Sequence, residues 1–238
     1  MQPTLSEKSY HRIREKLTNG ELSPGDRLVT RTIADEIGVS LGPVREAINR
    51  LSAEGLVAYV PGLGASVRKP NRRDLEELYI LRQANESCAA REAAKYITEE
   101  QLELLDTLLD EAKEITEQIR KRRKKSASST LNVLNRWLDN DEHFHEAIVD
   151  ASRNRLLIKV TREYRAISRI FETHRKYPEV LTLQVAEDTC LNHQRLINSL
   201  RDRNPELSRQ IMVEQTENGL KTLLTHLNSV ERLSRGSS

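Results

Sequence analysis

Between Asn71 and Tyr177 the chain contains neither glycine nor proline. The two residues that interrupt helices most severely are missing from a stretch rich in Leu, Glu, Lys, Arg and Ala, so it reads as long helices. Ahead of it the composition inverts. Seven of the nine glycines lie between Gly20 and Gly64, and five of the seven prolines between Pro3 and Pro70. A turn-rich first part therefore precedes a helical second part. Lys69-Pro70-Asn71 reads as a linker into a helix cap, which puts the boundary near Pro70. The expected division is residues 1–70, residues 71–228 and a polar tail over 229–238.

Local signals order the first part. A helix is predicted from Ser6 to about Asn19, stopped by Gly20, with a turn at Pro24-Gly25-Asp26. A short helix over Thr30–Ile37 ends at Gly38. Ser40 is expected to cap a third helix running to Glu54, with Val44, Ile48 and Leu51 as its apolar stripe. Leu56–Val60 and Ala65–Arg68 read as strands joined by Pro61-Gly62-Leu63-Gly64. Three helices and a hairpin, in that order, predict a winged helix-turn-helix. The second part predicts six helices, so the fold class is mainly α: a winged helix-turn-helix followed by an all-α helical bundle.

Charge does not oppose a nucleic-acid role. The 38 basic and 36 acidic residues nearly cancel, which excludes a histone-like protein, but a DNA footprint is local. Residues 1–70 carry ten basic and eight acidic groups, and residues 71–238 carry 28 of each. Arg120 to Lys125 is an unbroken basic run within that second part, read as the solvated end of a helix entering a loop. A nonspecific DNA contact is the alternative for that run. Two isolated cysteines, Cys88 and Cys190, form no metal or disulfide pattern, so reduced thiols and a cytoplasmic location are expected. No apolar run reaches the length of a membrane span, and no secretory signal is read at the amino terminus.

A recognition helix must bring its first turn against base edges in the major groove. Ser40, Leu41, Gly42 and Arg45 occupy that turn here. Small residues allow close approach, and arginine offers paired donors to guanine or phosphate.

These residues lie within a series of separated motifs. "GELSPGDRL", "IADEIGVS", "PVREAINRLSAEGLV" and "GLGASV" follow one another over nearly all of Tyr10 to Val67, and together they resemble the GntR family of bacterial transcription regulators. The resemblance implies a DNA contact from Arg31 on the second helix, a contact from Arg45, and a wing tip at Gly62 that enters the minor groove. Leu41 stands where the family usually has Arg, and Gly42 where it often has Thr. The operator should differ accordingly.

In the second part, polar groups interrupt apolar stripes. Leu134, Leu138, Asp141, His145 and Ile148 share one helical face. Ala186, Cys190, His193, Ile197 and Leu200 share another. Asp141, His145 and His193 are metal-competent groups that need partners if buried. A divalent ion is one partner, and mutual hydrogen bonding is the other.

"LRQANESCAAREAA", "DEHFHEAIVDASRNRLL" and "HQRLINSLRDRNPELSRQIMVEQ" extend over about Asp74 to Leu223. They resemble the FCD ligand-binding domain of the FadR subfamily. The resemblance implies a metal, zinc or nickel, held by Asp141, His145 and His193, with Gln215 at a fourth position where the family has His. It also implies a small carboxylic acid as effector, with Arg82 as an effector contact, Glu86 four residues on, and Asn154 in a turn. Since an amide oxygen is a weak zinc ligand, a metal-free pocket for a different effector is the competing reading. A two-fold homodimer would demand a palindromic operator. The rival from another class is a helical-bundle metalloenzyme built on the E-x-x-H of Glu142 and His145. Such sites require a second E-x-x-H, which the sequence lacks. A regulator without an effector is a third reading. No enzyme activity is expected. His143, His174 and His226 fall off the shared stripe and are expected at the surface, and Trp137 is expected to pack.

Overall fold

A computed structural model describes residues 3–60, 62, 64–124, 129–171 and 177–235. Chain contacts separate two compact units, with Asn71 and Arg72 on either side of the division. The end of the seventh helix, from Arg165, is grouped with the first unit.

The first unit begins with α1, Leu5–Thr18. Thr4 and Glu7 form a reciprocal capping box at its start. Helix α2, Thr30–Ile37, ends at Gly38, whose φ of 75° needs a residue without a Cβ. Helix α3 spans Leu41–Ala53, and β1, Val57–Val60, pairs antiparallel with β2, Gly64–Val67. Ile13, Leu17, Val44, Ile48 and Leu51 are buried together as the patterns require. Pro61 and Leu63 of the expected turn lie outside the described residues.

A third rung was not legible in the sequence. Arg27 bridges Ser66, and the Leu28 amide donates to the Ala65 carbonyl at 2.8 Å. The segment after Pro24-Gly25-Asp26 thus satisfies the outer edge of β2.

The second unit contains α4 (Arg72–Tyr96), α5 (Glu99–Lys124), α6 (Leu131–Ala151), α8 (Leu183–Arg201) and α9 (Pro205–Arg235), with the start of α7 (Arg155–Phe171). Thr98 and Gln101 exchange the expected capping-box bonds at the start of α5. Asn154 caps α7, its Oδ1 accepting from the Leu156 and Leu157 amides. Helix α9 continues past the expected end near Asn228 to Arg235, so the polar tail is helical for two further turns. Residues 125–128, including Lys125 of the basic run, lie outside the described residues.

Helix α4 packs along α9, and α5 packs against α6 and α8. One core joins Ala93, Leu105, Phe144, Ile197 and Met212; a second joins Ile115, Leu134, Trp137 and Ala186. Gly219 lies within α9, where glycine costs about 1 kcal/mol relative to alanine. Its reason is space: a Cβ there would stand 3.2 Å from the Tyr79 ring on α4. Between α4, α6, α8 and α9 lies a cavity of about 530 Å³.

Candidate DNA-binding surface and effector site

The recognition surface follows from how α2 and α3 start. Neither helix has a side-chain cap bond, and neither has an acidic residue in its first turn. Ser40 occupies the cap position but makes no capping bond, contrary to expectation. An uncapped start leaves backbone N–H groups and the positive dipole end free for an anion such as phosphate. Arg31, Ser40, Leu41, Gly42, Arg45 and Gly62 are all exposed. Among the described residues neither Arg31 nor Arg45 forms an ion pair, so both cations are uncommitted. Gly62 lies between the two strands with φ of 76°, a conformation that favours glycine. Other basic groups in this unit are committed to structure: Arg12 and Lys16 both pair with Glu36, tying α1 to α2.

In the second unit the fold brings the two interrupted stripes together. His193 Nε2 lies 3.4 Å from Asp141 Oδ1, and His145 Nε2 lies 3.9 Å from the same oxygen. One ligand atom from each of the three residues falls within 4.8 Å of the others. His145 and His193 are buried. Phe144 stacks on His193 with ring centroids 3.7 Å apart and planes within 8°, which fixes the orientation of that imidazole. Burial lowers the His193 pKa below its ordinary value and so favours the neutral ring. Burial would raise the Asp141 carboxyl, but His193, His145 and Arg82 outweigh it and hold the carboxyl well below the usual range.

The donor set fits a divalent ion. One carboxylate and two neutral imidazoles are the ligands that zinc and nickel accept. Neither ring nitrogen of His193 has a hydrogen-bond partner among the described residues, and a buried polar group in that condition calls for an ion or a water.

Behind these groups sits Glu86, buried on α4. Its Oε2 lies 2.9 Å from His145 Nδ1, while its Oε1 accepts from the Tyr164 hydroxyl at 2.7 Å and from Arg82 Nε at 3.1 Å. With the Glu86 carboxylate beside Nδ1, Nε2 is the nitrogen that faces Asp141. Glu86 Oε2 and His145 Nδ1 are close but not aligned as a hydrogen bond, and a carboxylate in this place can orient a metal-binding histidine. This role was missed in the sequence, where Glu86 appeared only as the motif residue four positions after Arg82. Tyr164 was missed altogether; its single signal was a tyrosine on the apolar face of an amphipathic helix.

Arg82 lines the cavity beside Asp141, His145, His193 and Gln215. Burial opposes its charge, yet Glu86, together with Tyr79 and Tyr164, outweighs it and holds the pKa well above the ordinary value. Gln215 presents a buried amide whose oxygen and nitrogen both lack a hydrogen-bond partner among the described residues. An unpaired buried group of this kind costs about 1–3 kcal/mol. Trp137 packs as expected.

His143 is exposed, whereas His226 is half-buried against Tyr177, with ring centroids 5.0 Å apart, rather than on the surface. His174 lies outside the described residues. Arg120, at the head of the basic run, pairs with Glu117 and with Glu187 at 2.7 Å, so it ties α5 to α8.

Comparison with known proteins decides the family. Residues 5–67 match the bacterial regulatory proteins of the gntR family, and residues 77–218 match the FCD domain. The chain is a GntR-family transcription regulator with an FCD domain. It is 27% identical to the HTH-type transcriptional regulator YdhC of Bacillus subtilis over 207 residues, covering 84% of this chain and 83% of the relative. It is 34% identical to the Nta operon transcriptional regulator of Aminobacter aminovorans over 142 residues, covering 58% and 60%. In fold it matches E. coli McbR/YncC with a TM-score of 0.70 at 21% identity, covering 95% of this chain and all of that one. A GntR regulator from Rhodococcus sp. RHA1 matches with a TM-score of 0.66 at 22% identity, covering 92% and 97%. These relatives are regulators, and this GntR chain is a DNA-binding regulator rather than an enzyme. No described helix of the GntR chain is long and apolar enough to cross a membrane.

Proposed function

We propose that this regulator acts in the bacterial cytoplasm as a homodimer on a palindromic operator, switched by a small organic acid bound in the helical cavity with a divalent metal. The observation that carries the reading is the convergence of Asp141, His145 and His193 in a cavity that Arg82 also lines. Those three side chains would hold the metal. Zinc or nickel there would supply positive charge and open coordination positions to a carboxylate.

Charge balance supports the metal. Arg82 and Lys221 line the cavity against Asp141 and Asp188, and Glu86 already neutralises Arg82 from behind. Without an added cation the lining offers an anion no net attraction.

In the DNA-binding unit, Arg31, Arg45 and the uncapped starts of α2 and α3 would engage phosphates and base edges. Ser40 and Gly42 permit close approach, Leu41 offers an apolar contact to a thymine methyl, and Gly62 would enter the minor groove. The switch is a population shift: the effector changes operator affinity only as far as it binds two dimer arrangements unequally.

The test is selection of genomic fragments by the full chain, then footprinting with and without organic acids and zinc. The expected result is protection of inverted repeats, with affinity altered by at least one acid only when metal is present. Protection of unpaired half-sites, indifferent to every acid, would count against the reading.

A further inference from the structure

The cavity has two unlike walls. Helix α6, the segment before α8 and the first turn of α8 contribute Leu134, Trp137, Leu138, Leu181 and Val185. Helices α8 and α9 contribute the polar wall, with Asn192, Gln215, Thr216, Asn218 and Thr222 among its residues. On that polar wall Gln215 differs from its neighbours. Thr216 satisfies its hydroxyl on the Met212 and Val213 carbonyls, and Thr222 on the Asn218 carbonyl. Gln215 has a donor and an acceptor that are both buried and both unpartnered in the described protein, and of the cavity-lining side chains only the His193 ring, which faces Asp141, shares that condition among the described residues.

An amide in this condition is complementary to a ligand that carries a donor beside an acceptor. A carboxylate alone supplies only acceptors and would leave Oε1 unpaired. A 2-hydroxy carboxylate supplies both within one rigid unit: its hydroxyl donates to Oε1 and an oxygen accepts from Nε2. The apolar wall at Trp137 and Leu138 calls for a hydrocarbon or aromatic body on the same molecule.

We infer that Gln215 is a specificity-determining residue, reading the hydroxyl of a 2-hydroxy carboxylic acid with an apolar tail, rather than a metal ligand. This rests on the reading of the cavity as an effector site. It assigns to Gln215 the contact that separates a hydroxy acid from its deoxy analogue. A site built to pair with a hydroxyl rejects the analogue lacking it, because its own polar groups are then left unpaired.

The experiment is isothermal titration of the full-length protein, first with zinc alone, then with 3-phenyllactate and 3-phenylpropionate, for wild type and Gln215→Met. Methionine keeps the length of glutamine and removes both polar atoms, and Gln215→Leu, which removes them too, is the variant to use if Gln215→Met does not fold. The wild type should favour 3-phenyllactate by at least tenfold. The substitution should collapse that ratio while zinc affinity stays within about twofold. A large loss of zinc affinity in Gln215→Met would make Gln215 a metal ligand and overturn the inference. An unchanged ratio would overturn it too, as would failure of the wild type to bind either acid. Absence of zinc binding in the wild type would instead contradict the metal reading. The ratio measured without metal would then still decide the role of Gln215.

Discussion

Glu86 Oε2 lies 2.9 Å from His145 Nδ1, and no part of the Glu86 side chain reaches solvent. A buried carboxylate needs every partner it has, and this one also holds Tyr164 and Arg82. The pair joins the stability of the helical unit to the chemistry of its cavity.

Glu86→Gln should therefore lower zinc affinity about 10- to 100-fold, because His145 loses the carboxylate that orients its ring. Glu86→Ala should destabilise the unit by about 3–5 kcal/mol, since Arg82 is left without its counter-charge. Zinc competition titration and denaturant unfolding measure the two effects separately.

Arg45 is exposed and forms no ion pair among the described residues, so its removal should leave stability within about 0.5 kcal/mol. Arg45→Ala should nonetheless cost about 1–3 kcal/mol of operator binding and relax specificity at one position if it reads a base. If it contacts phosphate, the salt dependence should fall by about one ion instead. Binding titrations at several salt concentrations, on operator and mismatched DNA, distinguish these outcomes.

Tyr10 makes an alkaline prediction for the DNA-binding unit. Its hydroxyl donates to both oxygens of Glu54, at 3.0 and 2.9 Å, and its ring is buried beneath Arg50. Burial and the Glu54 bond raise the phenol pKa above its ordinary value near 10. The folded state then favours the neutral phenol. The stabilisation is fully present below pH 10 and is lost as pH rises through the higher folded value. Tyr10→Phe should lower stability at pH 7 by about 1.5 kcal/mol, the low end for a bond to a charged group, because Glu54 is partly exposed. The difference from wild type should shrink above pH 10. Denaturant midpoints measured across pH 7 to 11 provide the check.

Much of the fold was legible because local chemistry sets it. Gly38 ends α2, Thr98 and Gln101 start α5, and the glycine-free stretch after Asn71 contains long helices. The apolar period also brought Asp141 and His145 onto one face and His193 onto another. Which faces meet is a tertiary matter, and there the sequence was silent. Nothing in the spacing of Glu86, His145 and Tyr164 says that a carboxylate on α4 will hold groups from α6 and α7. The bridge from Arg27 to Ser66 is a single rung and has no periodicity to read. Helix α9 outruns its apolar stripe, so the pattern ended before the helix did.

The most direct test of the account is zinc stoichiometry by native mass spectrometry. It should be run on the metal-free full chain titrated with zinc, beside Asp141→Ala, His145→Ala and His193→Ala. The account predicts one zinc per wild-type chain and its loss in each variant, with the helical unit still folded. A folded wild type that takes up no zinc, or variants that bind it as well as the wild type, would contradict it.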